Sequence, residues 1–132
     1  VPPCPVFGIC GGCAWQHVPY ATQWTTKRDG ALHALARTGM AFAGPIEEFP
    51  ARDPWHYRNR VQLRARPALE GSGVDLGYFA RRSKHLISID HCYIARQELN
   101  DRLPSIHAQA RAAISDRLGR GEARPETKVE LE

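Results

Sequence analysis

The chain has 132 residues, 42% of them hydrophobic, which suffices for one core, and no stretch approaches the ~18 consecutive apolar residues of a membrane-spanning helix. Its four cysteines are about 3% of the chain, far below the roughly 8–10% of a disulfide scaffold, and no signal-peptide pattern precedes them. A formal charge of +4 would say little if spread evenly, but it is concentrated: residues 54–69 carry no acid, while Arg58, Arg60, Arg64 and Arg66 lie within nine positions. A single soluble, cytoplasmic, monomeric domain with a localised basic surface is expected.

Residues 1–18 form a cysteine-rich loop. Cys4, Cys10 and Cys13 stand in a C-x5-C-x2-C pattern, with Gly8, Gly11 and Gly12 letting the backbone bend around one centre, and Cys92 is remote. Structural zinc sites usually pair two short knuckles, whereas iron–sulfur proteins combine a compact cysteine group with an outlier. Only one knuckle is present, so the spacing suits a cluster better. Zinc remains the alternative, with His17 and His91 flanking the cysteines as substitute ligands, and free or disulfide-bonded thiols are the plain reading. For each histidine alone, a hydrogen-bonded or surface role is the ordinary one.

Pro19 at a helix start, then Tyr20, Trp24, Ala31, Leu32 and Leu35 at three- and four-residue spacing with Gly39 as a stop, predict a helix over 19–38 within a segment 19–40. Its apolar stripe is expected to cover a sheet. The region 41–132 then opens with a loop from Phe42 to Pro54, broken by Gly44, Pro45 and Pro50.

From Tyr57 to Arg66 the residues alternate, with Tyr57, Asn59, Val61, Leu63 and Ala65 on one side and Arg58, Arg60, Gln62, Arg64 and Arg66 on the other. This predicts a half-buried strand with a guanidinium face. Gly71-Ser72-Gly73 supplies a hairpin connection, and 76–79 and 86–89 supply returning strands. The hairpin brings a second basic run, Arg81, Arg82, Lys84 and His85, beside the first. Beyond Cys92, Leu99, Leu103, Ile106, Ala110, Ile114 and Leu118 predict a helix ending at Gly119, with Pro104 either in its first turn or marking a break. Residues 127–132 enter another strand. The fold class is α+β: an antiparallel sheet, two packing helices and an N-terminal cysteine loop.

Arginines at two-residue spacing stand about 6.5–7 Å apart along a strand, comparable to the phosphate repeat of an extended nucleic acid, so RNA is a candidate partner. The ordinary alternative is a strand edge kept soluble by charge. Trp55, Tyr57, Tyr78 and Phe79 are candidates for stacking on unpaired bases, although such residues more often belong to a core.

Cys4-Pro5, Phe7-Gly8, Cys10-Gly11-Gly12-Cys13, Gln16-His17, Tyr57-Arg58-Asn59-Arg60-Val61, Gly77-Tyr78-Phe79, His91-Cys92 and Leu99-Asn100 follow one another in order. In this the chain resembles the bacterial RNA (uracil-5-)-methyltransferases, and within them the iron–sulfur members that act on large-subunit ribosomal RNA. The likeness covers roughly residues 4–100. Departures are Ala14-Trp15, Tyr93 after the fourth cysteine, and Ala80-Arg81-Arg82, and they bear on substrate choice more than on membership.

The resemblance implies a central domain that holds a 4Fe-4S cluster on Cys4, Cys10, Cys13 and Cys92, with no catalytic residue of its own. It implies that Arg58 and Arg60 meet RNA or brace the target loop, while Arg64, Arg66, Arg81, Arg82 and Lys84 are RNA-contact candidates from the charge pattern alone. The S-adenosylmethionine site and the nucleophile would lie in a catalytic domain of the same polypeptide, since no glycine-rich strand–turn–helix fingerprint occurs in these residues. The absence of an initiating methionine and the strand-like last residues also read as a fragment, inactive by itself. The competing reading is a free-standing zinc- or cluster-stabilised nucleic-acid-binding module.

Overall fold

The computed structural model describes residues 1–40, 44–69 and 73–132. The expected turn at Gly71-Ser72 and the start of the loop at Phe42 lie outside them. Four strands, β1 (Val61–Pro67), β2 (Val74–Phe79), β3 (Leu86–Ser88) and β4 (Thr127–Leu131), form one sheet in the order β3-β2-β1-β4, and every pairing is antiparallel. Two helices, α1 (Tyr20–Arg37) and α2 (Gln97–Gly119), complete the α+β architecture.

The core follows from two periodicities meeting. On β1, Val61, Leu63 and Ala65 are buried at period two. On α2, Leu99, Leu103, Ile106, Ala110 and Ile114 are buried at helical spacing. The sheet face supplied by β1, Leu76 of β2 and Leu131 of β4 packs with this stripe as one apolar cluster. Pro104 falls in the second turn of α2 and the helix continues through it, with the proline exposed. Gly119 is the last helical residue rather than the stop; Gly121, at φ +87°, takes the left-handed conformation that ends the helix.

Two expectations are corrected. First, α1 does not cover the sheet: none of its residues is buried. The inner face is already filled by α2, and α1 is held from the side by polar contacts of the 44–54 loop. Glu48 accepts from Trp24 and pairs with Arg28 at 2.9 Å, and the Ala51 N–H donates to the Tyr20 hydroxyl at 2.8 Å.

Second, the arginine strand begins at Val61, not Tyr57. Residues 56–58 turn aside to pair with the segment after Cys92: the His56 N–H donates to the Tyr93 carbonyl, the Arg58 N–H to that of Ile94, and the Arg96 N–H to that of Arg58. His56 makes this turn at φ +50°, uncommon for a residue with a Cβ. Tyr57 and Asn59 are consequently exposed, and Arg58 half-buried, the reverse of the alternation.

Candidate metal centre and nucleic-acid face

Residues 4–10 fold into consecutive tight turns, with Phe7 N–H donating to the Cys4 carbonyl and Ile9 and Cys10 N–H both donating to Val6. The loop is then stitched to the end of β2: Gly11 N–H donates to Phe79 at 3.0 Å and Arg81 N–H to Ile9 at 3.1 Å. Cys92 arrives on the turn between β3 and α2, where Ala95 N–H donates back to its carbonyl. The two segments meet, and Cys4, Cys10, Cys13 and Cys92 all line one small, apolar cavity with Val6, Phe7, Tyr78 and Ile89. All four thiols are free.

Several groups hold the sulfurs in place. The Gly12 N–H donates to Cys10 Sγ at 3.4 Å, and the Tyr78 hydroxyl reaches Cys92 Sγ at 3.8 Å. Asn100, a buried polar side chain in the apolar stripe of α2, accepts the Cys92 N–H at 2.8 Å and donates to the carbonyls of Cys92, Ala95 and Arg96. Burial pushes the Cys10 thiol up; the Gly12 N–H opposes this, and the neighbouring Cys13, Cys4 and Cys92 add to it. Burial likewise raises the Tyr78 hydroxyl, with Cys92 as the next cause.

The donor set fits a metal group. Four thiols line one apolar cavity, a soft donor set that a bound metal group takes as thiolates. Gln16 lines the same cavity with a buried Oε1 that has no partner; turning its amide over presents an N–H, which sulfur accepts. Among the described residues, no three His, Cys, Asp or Glu side chains converge on a single ion-sized point. His91 also lines the cavity, its ring edge-on to Tyr93 at 4.8 Å, whereas His17 lies against Phe7 in a neighbouring cleft.

The arginine row has a different setting from the one its own sequence suggests. Antiparallel pairing places Glu130 opposite Gln62 and Lys128 opposite Arg64, so the acids of β4 and its flanks stand among the guanidinium groups. Arg60 pairs with Glu130 and, at 3.0 Å, Glu132; Arg64 pairs with Glu126 at 3.3 Å; Arg66 donates to Glu126 and the Lys84 carbonyl and lies over the Phe79 ring. Arg58 is off this row. Burial works against its charge, and Tyr57, Tyr78 and Cys13 outweigh that, so its pKa moves up from an already high value.

Arg81, Arg82 and Lys84 are exposed in the β2–β3 turn, and their side chains make no ion pair among the described residues. Sequence reasoning missed the counter-charges, and it quoted Leu99-Asn100 in the resemblance without a role for Asn100. Glu126, Glu130 and Glu132 on and beside a late strand, and an asparagine inside an apolar helical stripe eight residues after a cysteine, were the available signals.

No protein-family model matches the chain. A 23S rRNA (uracil(1939)-C(5))-methyltransferase RlmD from Chromobacterium violaceum is 30% identical to it over 131 residues, covering 98% of this chain and 26% of that protein. The chain resembles one part of the RNA uracil-C5 methyltransferases. The RlmD of Haemophilus parainfluenzae is 33% identical over 107 residues, covering 80% of the chain and 24% of that protein. An uncharacterized RNA methyltransferase from Aquifex aeolicus is 33% identical over 105 residues, covering 79% and 23%. The chain thus spans about a quarter of the length of these relatives. No described helix is long and apolar enough to cross a membrane.

Proposed function

We propose that this chain is the iron–sulfur, RNA-recognising domain of an S-adenosylmethionine-dependent enzyme that methylates uridine C5 in ribosomal RNA. The observation that carries the reading is the convergence of Cys4, Cys10, Cys13 and Cys92, from segments about eighty residues apart, on one cavity of a chain similar over nearly its whole length to a 23S rRNA methyltransferase. One short C-x2-C knuckle with a third cysteine close by and a remote fourth suits a multi-iron group better than a single zinc, whose structural sites usually pair two short knuckles.

When bound, such a group would supply a covalent tie between the N-terminal loop and the Cys92 turn. Closing so long a loop restricts the unfolded chain, and a stabilising role follows without electron transfer. The methyl donor and the nucleophile belong to other parts of the polypeptide, and this chain alone is inactive. RNA, cytoplasmic location and a monomeric state complete the reading. On the RNA side, the hairpin residues Arg81, Arg82 and Lys84, which make no ion pair among the described residues, are the stronger candidates, and Arg60, Arg64 and Arg66 serve mainly to tie β1 to the acids of β4 and its flanks.

Anaerobic iron, sulfide and zinc analysis with a visible spectrum tests the reading. Four irons and four acid-labile sulfides per chain are expected; stoichiometric zinc without sulfide would establish the zinc-stabilised module instead. Loss of the chromophore in Cys92→Ser, with a lower melting temperature, is the matching result for the remote ligand.

A further inference from the structure

We propose that the cleft beside the thiol cavity, walled by Trp15, Tyr20, Lys27, Trp55 and Tyr57, binds an unpaired nucleotide of single-stranded RNA. The inference rests on the RNA-recognition reading above and names a different surface from the arginine row and the basic hairpin.

The cleft encloses about 530 Å³, within the range of small-ligand sites and large enough for a nucleoside. It lies between the cysteine loop, the first turns of α1 and the Trp55–Tyr57 turn. Its aromatic walls are accessible: Trp15 is 37% and Tyr57 59% exposed, so neither is spent on a core. Trp55 is braced edge-on against Tyr93 at 6.4 Å, which limits the freedom its ring would otherwise lose on binding, and its backbone N–H donates to Asp53 Oδ1 at 2.8 Å.

Charge selects among occupants. Among the described residues no carboxylate lines the cleft, in contrast to the arginine row, where Glu126 and Glu130 are interleaved. Lys27 is exposed, makes no ion pair among the described residues, and holds its ammonium 5.9 Å from the Trp15 ring centre. Aromatic faces flanked by the Lys27 ammonium suit a base with its phosphate, since every base offers a π-face and stacking needs no particular sequence. Within a duplex the bases are stacked on one another and offer these rings no free face, the two terminal pairs apart.

The cleft also shares a wall with the thiol cavity. Gly12, Cys13, Gln16 and Ile94 line both. Filling the metal site therefore orders one side of the nucleotide site.

The test uses the anaerobically reconstituted chain, a single-stranded RNA decamer carrying 5-iodouridine, and a blunt RNA duplex. Trp15→Leu and Tyr57→Leu should each weaken decamer binding about five- to a hundredfold while leaving duplex binding unchanged. Lys27→Ala should give a smaller loss that disappears at high salt. In the unsubstituted chain, photocrosslinks should map to Trp15, Trp55 or Tyr57, an arm that needs no variant to fold. Unchanged decamer affinity in the aromatic variants, with crosslinks confined to residues 81–84, overturns the cleft proposal while RNA recognition stands; it is also the result expected if a protein segment occupies the cleft. Binding of neither RNA by the reconstituted chain overturns both readings.

Discussion

Asn100 grips both sides of the Cys92 peptide unit, accepting its N–H at 2.8 Å and donating to its carbonyl at 3.2 Å. The amide also donates to the carbonyls of Ala95 and Arg96, so one side chain of α2 sets the turn that carries the remote thiol. Replacing it by leucine keeps the volume but strands a buried N–H and several carbonyls. Asn100→Leu should cost about 1–3 kcal/mol of stability and roughly 10–100-fold in metal retention. Thermal melts paired with iron analysis check both, and a variant that loses stability but keeps its metal would show that Asn100 serves the helix alone.

Two glycines stand at close backbone approaches, Gly77 between β2 and β3 and Gly11 where the cysteine loop meets the end of β2. A Cβ on Gly77 would stand 1.9 Å from the Ile87 carbonyl oxygen, backbone of the neighbouring strand that cannot swing away. Gly77→Ala should cost at least about 4 kcal/mol and leave little cooperative unfolding transition. At Gly11 the same methyl meets the Phe79 oxygen at 2.8 Å, where the loop is docked by only a few hydrogen bonds. Gly11→Ala should therefore displace the loop, lowering metal retention while the metal-free melting temperature changes little.

Acid should loosen the β1–β4 pairing. The hydrogen bond from Gln62, then that from Arg60, holds the Glu130 carboxyl below its ordinary value. A carboxyl depressed in the folded state binds protons more readily in the unfolded chain, so its stabilisation is present above pH ~4.3 and is lost as pH falls through the lower folded value. Melting temperature should decline below that pH, and Glu130→Gln should flatten the decline. The carboxylate is solvent-accessible, so added salt should reduce the difference between the two proteins.

RNA titrations at two salt concentrations distinguish the basic groups. Removing a phosphate contact lowers the salt slope by ~0.7 for a single strand. Arg81→Ala with Lys84→Ala should flatten the slope by about two such steps if both meet phosphate, because neither side chain has a competing ion pair among the described residues. Arg64→Ala should leave the slope nearly unchanged, its guanidinium being engaged by Glu126. An equal effect from Arg64→Ala would return the arginine row to the RNA interface.

The sequence by itself determined what depends on local periodicity and residue chemistry. The alternation of Val61, Leu63 and Ala65, and the stripe from Leu99 to Ile114, identify a buried strand face and a buried helix face, because a side chain's direction repeats every two or 3.6 residues regardless of what it packs against. Three cysteines among glycines mark a candidate metal loop for an equally local reason. Tertiary structure decided everything that needed a partner distant in the chain. Cys92 reaches the loop only because β2, β3 and the Asn100 clamp carry it there. The arginines from Arg60 to Arg66 have no acid nearby in sequence, yet the register of β4 sets Glu126 and Glu130 among them. The stripe of α1 looks like that of α2, but the inner sheet face has room for one helix, and α2, flanked in sequence by β3 and β4, takes it. Periodicity says which face is apolar; competition for a finite core decides which face is buried.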